Sequence, residues 1–441
     1  MQVSIPESKA TPRTNMKRGF LKGKSLNTGN EPIIKVQTRI TPPPAPNAKT
    51  VDGFIPMPCG PASTSRDAPL VGTLPPDMSH RIAVTLPPRE LCGTERMTTT
   101  LLFPGMKEAI LALPGFPAPL THTAESFEIG PIKGKGLGMF ATADFDTGDL
   151  IICERPLYVS TVVQPFSLRP GDPTANDAIV ELLSRMCEYD RRMFYSLHNC
   201  KGNDCPREQG IIDTNAINVG ALPGYDGACA AIYIDVSRIN HSCTPNVISR
   251  WDLLAFTMEI RALTPIRKGE EITMSYMDKT APRADRQKEL KEKYDFICRC
   301  PSCSLTGAAA KESHIRLATI YRSAVTPYDD DELEKWINDV SAPEDKITKA
   351  CLFVLDMMEK EKYFNEKVWA VRSQRLCKAY CAMEKLEEAK KCAIQAAKIW
   401  KALAGNDGGW LAVAEAPQKT KYWGLRTKKI REAERANAQE A

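Results

Sequence analysis

The chain has 441 residues, 43% of them hydrophobic and 26% charged, with a formal net charge of +5. That balance belongs to a globular protein with room for two or three domains. No run of about 18 apolar residues occurs, which excludes an ordinary membrane-spanning helix. No apolar signal-peptide core follows Met1, so the fifteen cysteines are expected free or on metal in a reducing compartment, the nucleus and/or the cytoplasm.

Residues 1–124 hold 19 of the 33 prolines. Proline removes backbone donors and interrupts regular elements, so this region is expected to be a disordered arm, with one short helix at 106–113. Residues 1–50 carry nine Lys/Arg against two Asp/Glu. The basic excess therefore sits in the arm, which is either simply solvated or available to an acidic partner, to nucleic acid or to nuclear import.

At about residue 125 the composition changes. Residues 127–129, 139–142 and 150–153 read as short strands, broken by a glycine-rich stretch over 130–138 and a turn at 146–148. Residues 174–198 turn helical: Ile179, Leu182, Leu183 and Met186 follow the i, i+3, i+4, i+7 rule. A further short helix is expected over 211–216. Strand character returns at 231–236, 247–251, 255–260 and 272–276. A charged helix follows over 284–294. From about 312 the pattern is helical, with helices at 312–325, 344–362, 367–382 and 385–404. The last two make a hairpin like a tetratricopeptide unit. The charged tail after Gly405 is expected to fray.

Three stretches carry chemistry. Cys298-x-Cys300-x2-Cys303 places three thiols within six residues. Disulfides between such neighbours are strained, whereas thiolates at this spacing converge on tetrahedral zinc, with Cys243 the candidate fourth ligand. Cys200 and Cys205 have no second pair nearby and read as structural. Cys351, Cys377, Cys381 and Cys392 read as packing residues on helices.

The glycine-rich stretch Gly134-Lys135-Gly136-Leu137-Gly138 lacks the Lys-Ser/Thr of a phosphate loop, and a strand rather than a helix follows it. It is either a plain hairpin turn or a backbone cradle for a ligand. The polar turn Arg238-Ile239-Asn240-His241-Ser242-Cys243-Thr244-Pro245-Asn246 suits a ligand-facing loop better than a core strand. No G-x-S-x-G elbow is present, and Glu270-Glu271 reads as a solvated or structural pair.

Taken together and in this order, the stretches resemble the SET-domain family of protein-lysine methyltransferases. Residues 135–140, 238–246, 269–276 and 298–303 are similar to four successive motifs of that family, and the resemblance covers about 125–304. The helical insert and C-terminus resemble the subgroup with a MYND finger, but the finger's cysteine block is absent after Pro156.

The resemblance implies an α+β fold of small sheets with a pseudoknot-like core. It divides the chain into a SET domain at 125–276 with an insert at about 174–222, a post-SET zinc segment at 277–304, a helical domain at 305–404 and a tail at 405–441. It also implies S-adenosylmethionine held by the backbone of Gly136, Leu137, Gly138 and Met139, by Asn240 and His241, by Asn215, and by Phe296 against the adenine. Tyr276 would be the catalytic tyrosine, close to the cofactor, and Cys243, Cys298, Cys300 and Cys303 the zinc ligands. The expected partner is a lysine-bearing protein, histone tails included, met by a monomer with no need for nucleic acid or membrane. The rival is a SET scaffold that recruits partners without catalysis.

Overall fold

A computed structural model describes residues 81–440 apart from 94, 122, 124–125, 163–173, 204, 278–280 and 326–330. Most of the expected N-terminal arm therefore lies outside the described residues. Its last part is folded. β1 (Ile82–Leu86) leads through a one-turn helix, α1 (Arg89–Cys92), to β2 (Thr98–Leu102), and α2 (Met106–Leu111) follows. The two strands pair antiparallel, Ile82 opposite Leu102. Leu86, Leu102, Phe103, Met106 and Ile110 are buried in the largest core. The expected disorder is thus corrected for the described residues between 81 and 121. The prolines here sit in turns around the strands, so the β-branched run at 98–100 is free to pair.

β3 (Phe127–Ile132) and β4 (Gly136–Ala141) form a hairpin, Ile132 opposite Gly136. β5 (Leu150–Glu154) and β6 (Tyr158–Thr161) follow. The insert consists of α3 (Ala175–Ser184), α4 (Glu188–Tyr195) and α5 (Arg207–Asn215). Thr174 and Asp177 cap α3 reciprocally. β7 (Ile217–Leu222) and β8 (Tyr225–Ile232) return to the sheet, and the strand expected to reach 236 ends in a 3-10 turn at Val236–Arg238. Next come β9 (Asn240–His241), β10 (Val247–Asp252), β11 (Thr257–Ala262) and β12 (Glu271–Met274).

Among the described residues three sheets result, ordered β1-β2-β6-β8-β7, β10-β11-β5 and β3-β4-β12-β9. Strand β12 lies between β4, antiparallel, and β9, parallel. The chain leaving β9 wraps over it: Ser242 N donates to Met274 O and Asn246 N to Thr273 O. The Asn246 carboxamide adds bonds to Glu271 O (2.9 Å) and from Thr273 N (2.8 Å). This crossing is the pseudoknot-like core.

Among the described residues that follow, the regular elements are helices: α6 (Arg283–Tyr294), α7 (Pro301–Ser304), α8 (Gly307–Val325), α9 (Asp331–Asn338), α10 (Lys346–Glu361), α11 (Glu366–Ala382), α12 (Leu386–Ala404), α13 (Trp410–Glu415) and α14 (Leu425–Glu440). The expectation that the tail after Gly405 frays is corrected, because Trp410, Val413 and Tyr422 join the helical core. This region packs directly on the sheets. Ile399 and Leu403 share a cluster with Leu263 and Ile248, and Lys401 reaches Asp149 at 3.4 Å. No helix among the described residues is long and apolar enough to cross a membrane.

Candidate active site

The glycine hairpin and the Asn-His strand meet across β12. Gly134 and Gly136 adopt positive φ (+76° and +78°), a conformation that glycine alone takes at little cost. Gly138 is required for a different reason: a Cβ there would lie 2.3 Å from Ile132 Cδ1 and 2.7 Å from Asn240 Nδ2. That space lets Asn240 donate to Leu137 O at 3.0 Å. The same amide nitrogen donates to Glu271 Oε1 at 3.2 Å.

His241 is buried, and burial pulls its pKa down to about 4. Its Nδ1 accepts from Tyr276 N at 3.1 Å, so in the neutral ring the proton is on Nε2, 3.3 Å from Cys243 Sγ. One imidazole thereby joins the tyrosine segment to the thiol cluster. The Tyr276 hydroxyl donates to Ile239 O at 2.6 Å. Burial, reinforced by Glu271, raises the Tyr276 pKa above the ordinary tyrosine value, so the phenol stays protonated.

Tyr294 packs on Tyr276 with ring centroids 5.1 Å apart, and Phe296 lies 6.1 Å from the His241 ring. These rings line one side of a cavity of about 1700 Å³. Gly136, Leu137, Asn240 and Asn215 line other parts of it. Asn215 ends α5, and both its amide bonds go to backbone oxygens, His198 O and Ile211 O. Gly138 and Met139 do not line the cavity: Met139 is fully buried in the core, and Gly138 supports Asn240 from behind. Tyr294 was missed in the sequence because it ends a helix whose charged residues dominate its pattern.

Cys243, Cys298, Cys300 and Cys303 bring their sulfurs within 4.8 Å of one another. Cys243 Sγ lies 3.9 Å from Cys298 Sγ and 3.6 Å from Cys303 Sγ. Four sulfurs about 2.3 Å from a tetrahedral zinc stand roughly 3.8 Å apart, so the donor set fits the ion. Arg286 supports the cluster, with Nε 3.3 Å from Cys243 Sγ and Nη2 3.9 Å from Cys303 Sγ. Hydrogen bonds from Cys243, Cys298 and Cys303 pull the Cys300 thiol below its ordinary pKa, while bonds with the same neighbours push the Cys243 thiol above its own, so the four sulfurs share charge unevenly until a cation joins them. Gln287 clamps the Cys298 backbone from both sides, accepting at 2.9 Å and donating at 2.8 Å. Cys200 lies apart from the cluster: its Sγ donates to Lys293 O at 3.5 Å, tying the insert to α6.

Residues 136–277, which carry the glycine strand, the Asn-His turn and the strand threaded beneath it, match the SET-domain family model; three of the four clustered thiols lie just beyond that match. The chain is similar to the histone-lysine N-methyltransferase set5 of Schizosaccharomyces pombe, at 28% identity over 211 residues. That match covers 47% of this chain and 58% of the relative. The N-lysine methyltransferase SMYD2 of Homo sapiens is 41% identical over 75 residues, 17% of each chain, and SMYD2-B of Xenopus laevis is 44% identical over 75. The chain thus spans little more than half the length of the first of these relatives and under a fifth of the others.

Proposed function

We propose that this protein is an S-adenosylmethionine-dependent protein-lysine N-methyltransferase whose post-SET segment is held by one structural zinc. The observation that carries the proposal is the convergence of the glycine hairpin, Asn240 and Tyr276 on one cavity. The bound cofactor would supply an electrophilic methyl group on a sulfonium. Both amide hydrogens of Asn240 are engaged by protein acceptors. Its oxygen is therefore left to accept from a cationic or N–H group of the cofactor. The backbone of Gly136 and Leu137 lines the cofactor's approach, Gly138 and Met139 hold that backbone in place, and Phe296 packs against the base. Asn215 adds a wall from the insert.

The target amine has a reference pKa of about 10.4 and must be neutral to attack. The apolar rings of Tyr276 and Tyr294 disfavour the charged ammonium by desolvation. Tyr276 is positioned to orient the reacting groups rather than to take the proton, since its phenol is held protonated. Alignment for in-line displacement is the main task left to the protein.

The substrates are proposed to be protein lysines, histone lysines first, as in the printed name of the fission yeast relative. The free thiols suit a reducing setting such as the nucleus or cytoplasm. The test is label transfer from the cofactor to histones and cell extract, read by mass spectrometry. Lysine methylation lost in Tyr276→Phe is expected. Labelling unchanged in Tyr276→Phe combined with Asn240→Ala would overturn the assigned site.

A further inference from the structure

Two adjacent carboxylates open β12, and the structure separates their tasks. Glu270 is exposed and accepts from Arg267 N at 2.9 Å, which closes the turn before the strand. Glu271 instead reaches across the sheet. Its Oε2 lies 2.7 Å from Lys135 Nζ, at the tip of the glycine hairpin. Its Oε1 accepts from Asn240 Nδ2 at 3.2 Å. Its backbone oxygen takes the Asn246 amide at 2.9 Å. One residue thus touches the hairpin, the Asn-His strand and the chain that crosses over β12.

The bonds to Asn240 fix which way its carboxamide faces. Both acceptors around Nδ2, Leu137 O and Glu271 Oε1, carry negative charge density. A flipped amide would press its oxygen against both of them and lose both bonds. Leu137 O alone would hold one hydrogen and leave the group free to swing. The Glu271 and Lys135 side chains are 21% and 43% exposed, and an ion pair that wet contributes little to folding stability. Its value is geometric: it connects hairpin tip and cofactor-facing amide, which lie 105 residues apart in sequence.

We propose that Glu271 is a positioning residue of this site: it orients the Asn240 carboxamide with its oxygen free for the cofactor and, through Lys135, latches the glycine hairpin. This rests on the methyl-donor reading given above. It predicts a defect in cofactor affinity rather than in turnover, because the interaction is made equally in ground and transition states.

The test uses the full chain with S-adenosylmethionine and S-adenosylhomocysteine as calorimetric probes, and hydrogen exchange of residues 133–138 in the cofactor-free protein. Glu271→Ala is expected to raise the cofactor Kd and KM about ten-fold with kcat changed less than about two-fold, and to speed exchange in the hairpin. Glu271→Gln, which keeps an acceptor for Asn240, is expected to recover most of the affinity while the hairpin still exchanges faster, the Lys135 pair being lost. Lys135→Met reproduces the exchange effect and keeps the test open if Glu271→Ala does not fold. Glu270→Ala is the control and stays within about two-fold of the parent Kd. A Glu271→Ala protein with parental affinity, or with unchanged hairpin exchange, overturns the proposal. Failure of the parent protein to bind either probe would instead sink the methyl-donor reading, and the exchange result would still decide whether the latch exists.

Discussion

The Tyr276 hydroxyl donates to the carbonyl oxygen of Ile239 at 2.6 Å, one residue before Asn240. At its other end the Tyr276 N–H donates to the His241 ring. The tyrosine is therefore fastened at both ends to the strand that presents Asn240. Tyr276→Phe removes only the upper bond. The expected outcome is a fall in methyl transfer of about 10²-fold or more, as for loss of one preorganised polar group, here the hydroxyl oxygen, with stability lowered by about 1 kcal/mol. Cofactor affinity should change little. Label transfer, calorimetry and a thermal melt on the same preparation separate the three effects.

The thiol cluster and the strand that presents Asn240 share the turn at 240–243. Elemental analysis is expected to find about one zinc per chain. Cys243→Ser or Cys300→Ser should lose it and lower the melting temperature, because metal affinity at such a site is folding free energy. Cofactor affinity should drop with it, since Cys243 follows His241 by two residues and Phe296 precedes Cys298 by two. Cys200→Ser, outside the cluster, should keep full zinc content. Full occupancy in Cys300→Ser would show that the ion is held by another set of ligands.

What the sequence disclosed was chemistry carried by residue type and close spacing. Four cysteines, a glycine hairpin and an Asn-His turn announce themselves locally, and the structure brings them together. What it hid depends on partners far along the chain. Glu271 looks like one of two equivalent surface carboxylates until Lys135 and Asn240 arrive from 136 and 31 residues away. Strands β1 and β2 were obscured by proline counts over a window, although the prolines themselves fall in the turns. The tail was read as fraying because its surface is charged, while its anchors, Trp410 and Arg426, are single residues without periodicity.

Glu154 is another long-range partner, and it gives a pH test. Its carboxylate ends β5 and accepts from the N–H groups of Ile234 (2.6 Å), Asp235 (3.1 Å) and Val236 (2.9 Å). It thereby holds the turn that leads into Arg238 and Asn240. Burial, then the charge of Asp235, raises its pKa to about 7, opposed by the bonds from Val236 and Ile234 and by Arg96 at 3.7 Å. The folded value exceeds the unfolded one. The folded state therefore holds the proton more tightly, and this group's contribution to stability falls as pH rises from about 4.5 to about 7. The full swing is on the order of 3 kcal/mol. In Glu154→Gln the slope of melting temperature against pH over this window should become more positive than in the parent. Equal slopes would show that Glu154 does not titrate there.

The C-terminal helices offer a stability test independent of the site. Arg426 is 1% exposed and lies over the Trp336 ring, 4.3 Å from its centroid. Its guanidinium donates to Trp336 O, to Asp339 O at 3.0 Å and to Ala342 O at 2.6 Å. These carbonyls belong to the end of α9 and the turn after it, where a cation also meets the negative end of the helix. A planar fork stacks on the ring while its spread nitrogens reach separate acceptors; an ammonium has three donors but no planar face, and all three sit on one atom. Arg426→Lys is expected to destabilise the chain by about 2 kcal/mol, and Arg426→Met by more, since it leaves buried carbonyls without a donor. Limited proteolysis should then cut first within 405–440. Cofactor affinity should stay within about two-fold, because Arg426 packs in a helical core separate from the sheets that carry the cavity. A parental melting temperature in Arg426→Met would show that the tail's apolar anchors suffice without the guanidinium.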